Sequence, residues 1–277
     1  MEYDGRLPAE GINTSDEHPL REFALLVGGL VGAAVACIAI AALAIDRLVP
    51  LLPPALEARW FGGWLAPDAE AESDPRTASL QTLLDRLARH WSDHPYAFRV
   101  AVLDDAEPNA IALPGGGILV TTGLLAQVAN ENELALVLGH ELGHYHGRDH
   151  LRGLGRGLAT QLVLGALSGG GGEVVAGLAA TAGQLAQRGF DRSQESRADA
   201  FGLALVHAEY GHVAGAGDFF TRLAESRATG ATGRLAGYLA THPLHADRVT
   251  ALHAEAAARG WASEGPLTPL AIPTPSK

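Results

Sequence analysis

The chain has 277 residues, of which 47% are apolar, so it can bury a sizeable core and carry appendages. Its net charge of −11 argues against a nucleic-acid partner, which calls for a basic face. A single cysteine, Cys37, excludes a disulfide framework and a cysteine-based zinc site.

Residues 1–22 set six acidic side chains, among them Glu10 and Glu22, against Arg6 and Arg21, and read as a disordered tail. Residues 23–45, "FALLVGGLVGAAVACIAIAALAI", carry no charge. At about 1.5 Å per residue they cross a bilayer core of roughly 30 Å, which predicts one transmembrane anchor. The run is too long for the core of a signal peptide, and the segment before it is acidic. Arg21 and Arg47 nearly balance the flanking charge. The short N-terminal tail favours an N-terminus in the cytoplasm. The rest of the chain is then expected on the periplasmic side of a bacterial inner membrane. Residues 46–75 are expected to form a juxtamembrane linker, with Pro50, Pro53 and Pro54 breaking any helix there.

Globular patterning begins near residue 76. "ASLQTLLDRLARHW" has helical spacing, and "FRVAVLDD" reads as a strand. "NAIALPGGGILVTTGLLAQV" reads as strand, glycine turn, strand and helix, and "ENELALVLGHELGHYHGRDH" as one helix. The stretch 157–187 is apolar enough to raise a membrane hairpin. Gly169–Gly172 and Glu173 interrupt it and leave each half too short to span, so it is read as soluble helices. "DRSQESRADAFGLALVHAEYG" predicts a helix capped by Asp191 and Gln194. "HPLHADRVTALHAEAAARG" predicts a last helix with Pro243 in its first turn. The domain is bounded at 76–260, and the proline-rich residues 261–277 are expected to form a tail.

In "HELGH", His140 and His144 are four apart, so both imidazoles leave one helix face a turn apart and can grip one ion. Glu141 sits beside them, free to take a proton from water. Zinc suits imidazole, and this is a metalloprotease signature. Gly139 and Gly143 are poor helix residues whose small size lets another segment approach. A zinc enzyme with two histidines needs a third protein ligand. The spacing "HELGHYHGRDH" offers His150, and Glu195 in the distant "QESRAD" competes for the role.

The blocks "NAIALPGG", "HELGH", "ESRAD" and "THPLHADR", in this order, resemble the M48 zinc metallopeptidases over residues 105–250. The resemblance implies an α+β, mainly helical, gluzincin-like protease domain with a small sheet beside the HExxH helix, and the transmembrane helix read over 23–45 precedes it. It implies one zinc per chain on His140, His144 and Glu195, with Glu141 activating water and Asp199 hydrogen-bonded to a histidine ligand. The rival assignment to His150 requires a methionine turn after the site, and the only methionine is Met1. By the same resemblance Asn109, Ala110, Ile111, Ala112 and Leu113 form an edge strand that pairs with extended substrate. His242 either donates to the oxyanion or sits on the zinc as a latch. Arg248 holds Glu195 or the substrate backbone.

Polytopic members of that family surround these motifs with membrane helices. Here one span is evident, which turns the expectation away from prenyl-protein processing. The function expected is a membrane-anchored zinc endopeptidase acting on unfolded or misassembled envelope proteins. A holdase or scaffold with a latent site is the reading from another class, and a zinc hydrolase of non-peptide substrates is the third. Polypeptides and the lipid bilayer are the expected partners, and the sequence leaves the oligomeric state open.

Overall fold

The computed structural model describes residues 18–62, 74–168, 191–228, 238, 241–242 and 247–273. The HELGH segment lies in a helix whose fourteen residues Asn132–Tyr145 are all buried. That helix, α5 (Glu131–Gly147), is numbered here in chain order after α1 (Pro19–Leu48), α2 (Pro54–Phe61), α3 (Pro75–Ala88) and the short α4 (Thr122–Leu125). Asn130 caps α5 by accepting from the Glu133 N–H, satisfying one of its unpaired amides. The chain is mainly helical with one small sheet, as expected.

Three strands, β1 (Arg99–Leu103), β2 (Ala110–Leu113) and β3 (Gly117–Thr121), form a sheet in the order β1-β3-β2. β1 runs parallel to β3 with Val100 beside Ile118, and β2 runs antiparallel to it with Ala112 beside Ile118. The hairpin between β2 and β3 needs Gly115 and Gly116, whose φ angles are 90° and 98°, a region costly for residues with a Cβ. α3 covers β1: Gln81 donates to Phe98 O and accepts from Val100 N. β2 is left as an edge, packed against α5.

Leu80, Leu84 and Leu87 of α3, Ile118 and Val120 of β3, and Leu134, Leu138 and Leu142 of α5 make one core. Helix α7 (Arg192–Tyr210) adds Leu203 and Val206, α8 (Asp218–Ala228) adds Phe219 and Phe220, and α9 (Arg248–Ala258) adds Leu252. The predicted capping box of α7 is present, with Asp191 and Gln194 bonding each other's backbone N–H groups.

Four segments differ from expectation. The helix read over 131–150 breaks at Arg148, which adopts φ 55°, and α6 (Asp149–Ser168) starts anew. The break is held because the Arg148 guanidinium donates to the carbonyls of Val49 and Leu52. The segment expected as a linker contains α2, since Pro54 stands in the first turn, where a missing N–H costs nothing. Its Glu57 is completely buried in the domain, and Trp60 is exposed. The expected tail is structured through residue 273: Trp261 stacks on His207, and Leu270 and Ile272 pack on the core. The last helix begins at Arg248 rather than at Pro243, which lies outside the described residues.

α1 buries none of its residues in the protein. It is long and apolar enough to cross a membrane.

Candidate metal centre

α5 and α7 cross closely because their contact residues are small. A Cβ on Gly143 would come within 2.6 Å of Ala198 Cα, and one on Gly139 within 3.0 Å of Gly202 Cα. That approach brings Glu195 and Asp199, a turn apart on α7, to the two histidines of α5. Both glycines therefore do what their small size allows.

His140 and His144 are fully buried. Nδ1 of His140 meets Asp199 Oδ1 at 2.9 Å, and Nδ1 of His144 meets Asp149 Oδ2 at 3.2 Å. Each carboxylate draws the imidazole proton to Nδ1 and turns a bare Nε2 lone pair inward. The two Nε2 atoms are 3.1 Å apart. Glu195 Oε1 stands 3.3 Å from His144 Nε2, and its Oε2 stands 3.6 Å from His140 Nε2. Ligand atoms of His140, His144, Glu195 and His242 all lie within 4.8 Å of one another. Facing lone pairs at such distances repel unless a cation sits between them. With zinc–ligand bonds of about 2.0–2.1 Å, the edge of a tetrahedron is roughly 3.3 Å. The donor set and its spacing thus fit a four-coordinate ion.

Protons compete for the same lone pairs. Desolvation pushes His140 down to about 4. Desolvation also opposes a proton on His144, but Asp149 and Glu195 outweigh it and carry that residue up to about 9. One positive charge therefore belongs between these residues, as a proton or as a metal ion. Glu195 is held ionised against the cost of burial by His140, His144 and His242.

Arg248 ties the acidic side of the site together. It donates from Nε to Asp199 Oδ2 at 2.7 Å, from Nη2 to Asp199 Oδ1 at 2.7 Å and from Nη1 to Glu195 Oε2 at 2.6 Å. Buried, with Phe220 beneath its guanidinium at 4.9 Å, it is spent on these two carboxylates. Of the two roles expected for it, holding Glu195 has its contact here.

Glu141 is fully buried beside the cluster. Its Oε1 lies 3.5 Å from His242 Nε2, and burial raises its pKa. His242 stacks on Tyr238 at 4.8 Å, with Nδ1 3.1 Å from His140 Nε2 and 3.3 Å from Glu195 Oε1. Its Nε2 faces Ala110 O at 3.4 Å. Asn109 does not aim into the cluster. Its Oδ1 accepts from Thr241 Oγ1 and from the Ala110 N–H, linking the start of β2 to the residue before His242.

His150 is not part of this cluster. Its Nε2 is 2.7 Å from Glu57 Oε1, on the side facing α2. His146 is exposed and stacks on Phe201. Asp149 and Tyr238 were not foreseen. Asp149 lies five residues after His144 across a chain reversal, so helical spacing gave no signal. The acid behind the second histidine was nevertheless a requirement of the chemistry.

Residues 74–256 match the profile of Peptidase family M48. The chain is 34% identical over 183 residues to a Vibrio cholerae protease named for enhancing beta-barrel assembly, covering 62% of this chain and 37% of the relative. It is 28% identical over 173 residues to metalloprotease LoiP of Escherichia coli, covering 61% of this chain and 66% of the relative. A protease HtpX homolog of Pyrobaculum calidifontis is 34% identical over 161 residues, or 50% of this chain and 45% of that one. The aligned parts thus span from about a third to two thirds of these relatives. The profile match takes in well over half of the chain, the HELGH and ESRAD blocks included, and the chain therefore belongs to peptidase family M48, a family of metal-dependent peptidases.

Proposed function

We propose that the chain is a membrane-anchored zinc endopeptidase that cuts unfolded or misassembled proteins of the bacterial envelope. The observation that carries the reading is the pair of inward Nε2 atoms 3.1 Å apart, closed by Glu195 and flanked by the buried Glu141. His140, His144 and Glu195 would hold one zinc. Zinc bound there supplies a Lewis acid for a water and for the scissile carbonyl.

Glu141 takes the proton from the attacking water and returns it to the leaving amine, a task suited to a carboxylate whose pKa burial has raised. Asp199 and Asp149 keep the two imidazoles in the ligating tautomer. Arg248 keeps Glu195 and Asp199 in place. Substrate lies extended along β2, the sheet edge beside α5, and is recognised mainly through its backbone. Recognition of that kind suits chains that have lost their fold. His242, with Nδ1 3.1 Å from His140 Nε2 and 3.3 Å from Glu195 Oε1, would close the centre as a fourth ligand in the absence of substrate.

The uncharged α1 supports membrane anchoring, and relatives named for beta-barrel assembly support a role in envelope quality control. The domain stands on the periplasmic side. The test is cleavage of casein by the purified full chain, together with a comparison of the envelope proteome between wild type and Glu141→Gln. Chelator-sensitive cleavage that Glu141→Gln abolishes, with unfolded envelope proteins accumulating on the inactive variant, is expected. Protection of casein from aggregation without any cleavage would establish the holdase instead.

A further inference from the structure

Helix α6 leaves the end of the HELGH helix and runs antiparallel to α1. Arg148, just before it, bonds the carbonyls of Val49 and Leu52. About two turns further on, Gly155 lies against Ile45, where a Cβ would come within 3.1 Å of the side chain. Arg156 then forms an ion pair with Asp46. As α6 advances, its partner on α1 moves back toward the N-terminus. The half-buried residues of α1 continue in that direction as Ala34, Ile38, Ala41, Ala42 and Ile45, one helical face at spacings of three and four.

The ion pair divides both helices at one level. On α1, Asp46 is the first charge after the uncharged run 23–45; on α6, Arg156 is the last before an uncharged stretch that extends to Glu173. Up to that level, α6 carries Asp149, Arg152 and Arg156. Beyond it, Leu162, Leu164 and Leu167 are 58%, 51% and 45% exposed. In the antiparallel register set by that ion pair, these leucines fall level with the part of α1 that shows Val35 and Ile40 to the surroundings. The hydroxyl of Thr160 is turned back onto the Arg156 carbonyl at 2.8 Å, so it asks nothing of a solvent.

Resting on the reading that α1 crosses a bilayer, we propose that α6 enters the same bilayer beside it, with Leu162, Leu164 and Leu167 against lipid acyl chains. The occupant follows from continuity: α6 packs along the span, and the charges that would forbid entry stop at the level where those of α1 stop. Charged side chains are costly inside the hydrocarbon, whereas Leu is at home there. From Arg156 to Leu167 the helix advances roughly 16 Å, about half of a bilayer core. α6 therefore reaches into one leaflet. The expectation that this stretch packs as a soluble helix is replaced by one in which the HELGH helix is tied directly to the membrane through α6.

The test uses the full chain reconstituted into phosphatidylcholine vesicles, with an environment-sensitive fluorophore on single cysteines. The native Cys37 on α1 serves as the reference. Leu162→Cys, Leu164→Cys, Leu167→Cys and the exposed control Glu264→Cys are each made in Cys37→Ser. Lipid brominated on its acyl chains is expected to quench the three α6 labels to a degree comparable with Cys37, and to leave residue 264 bright. Labels on α6 that behave like residue 264 while Cys37 is quenched overturn the proposal and leave the anchor standing. Labels reached by neither brominated lipid nor aqueous iodide also overturn it, because a second copy of the chain then covers this face. If Cys37 itself escapes quenching, the anchor reading has failed, and the proposal with it.

Discussion

Asp149 reaches back to His144 across the left-handed turn at Arg148, placing Oδ2 3.2 Å from Nδ1 of the histidine. The carboxylate is itself held by Gln194 of α7, which donates to Oδ1 at 2.8 Å. The chain reversal after the HELGH helix is thus part of the metal centre. Asp199 does the same for His140 from the other side. Loss of such a partner typically lowers metal affinity by roughly 10- to 100-fold. Asp149→Asn and Asp199→Asn are each expected to weaken zinc binding in that range, read by competition with a chromogenic chelator. Unchanged affinity in Asp149→Asn would mean that His144 needs no partner.

Glu195→Ala should remove stoichiometric zinc, because it deletes an anionic ligand lying 3.3 Å and 3.6 Å from the two Nε2 atoms. His150→Ala should retain it, since that imidazole faces Glu57 on the other side of α5. Metal content of the two purified variants decides the matter. Zinc lost from His150→Ala and kept in Glu195→Ala would reverse the ligand assignment.

Glu57 connects the segment just after the anchor to the domain. It accepts from Tyr96 Oη at 2.8 Å and from the Gly115 N–H at 3.1 Å, and it pairs with His150 and Arg148. Burial alone would raise its pKa, but these partners, His150 foremost, bring it from 4.5 down to about 2. A depressed carboxylate stabilises the fold above its unfolded pKa, and that stability fades as pH falls through the folded value. The drop corresponds to roughly 3 kcal/mol at neutral pH. Glu57→Gln should therefore destabilise the full chain by about that much at pH 7, and the two proteins should converge between pH 4.5 and pH 2. Denaturant titrations in detergent at both ends of that window give the answer. An equal gap at both ends would assign the effect to packing.

The sequence made the first two ligands plain, because a helix translates a spacing of four into one shared face. Glu195 and Asp199 became legible only through the resemblance of their block, since nothing in local spacing says that α5 and α7 touch. Gly139 and Gly143 hinted at the contact but could not name Gly202 and Ala198 as the other half of it. Asp149 and Glu57 escaped for another reason. Each acts across a bend, the αL residue Arg148 in one case and the prolines before α2 in the other, where helical periodicity is silent. The segment after 260 is illegible for a third reason, since a high proline content rules out helix and sheet but not order. An irregular segment can still pair its backbone, as Thr268 does with the Glu131 N–H and with Asn132.

His242 is the residue whose role the geometry narrows most. An oxyanion donor should face the place where a substrate carbonyl lies, between the metal and β2. A latch should put its own nitrogen among the ligand atoms. Nδ1 of His242 is 3.1 Å from His140 Nε2 and 3.3 Å from Glu195 Oε1, while Nε2 is 3.4 Å from Ala110 O and 3.5 Å from Glu141. The ring thus fills the space between the ligands, the base and the edge strand, where a substrate carbonyl would have to enter. Tyr238 stacks behind it and Thr241 ties its neighbour to Asn109, so displacing His242 means moving that whole turn. His242→Ala is expected to retain zinc and to cleave casein faster than wild type, with the gain in kcat/KM. Asn109→Ala should give a smaller gain, by loosening the turn while leaving the histidine. A fall of roughly 10²-fold in His242→Ala, with zinc retained, would instead identify the residue as a donor to the oxyanion.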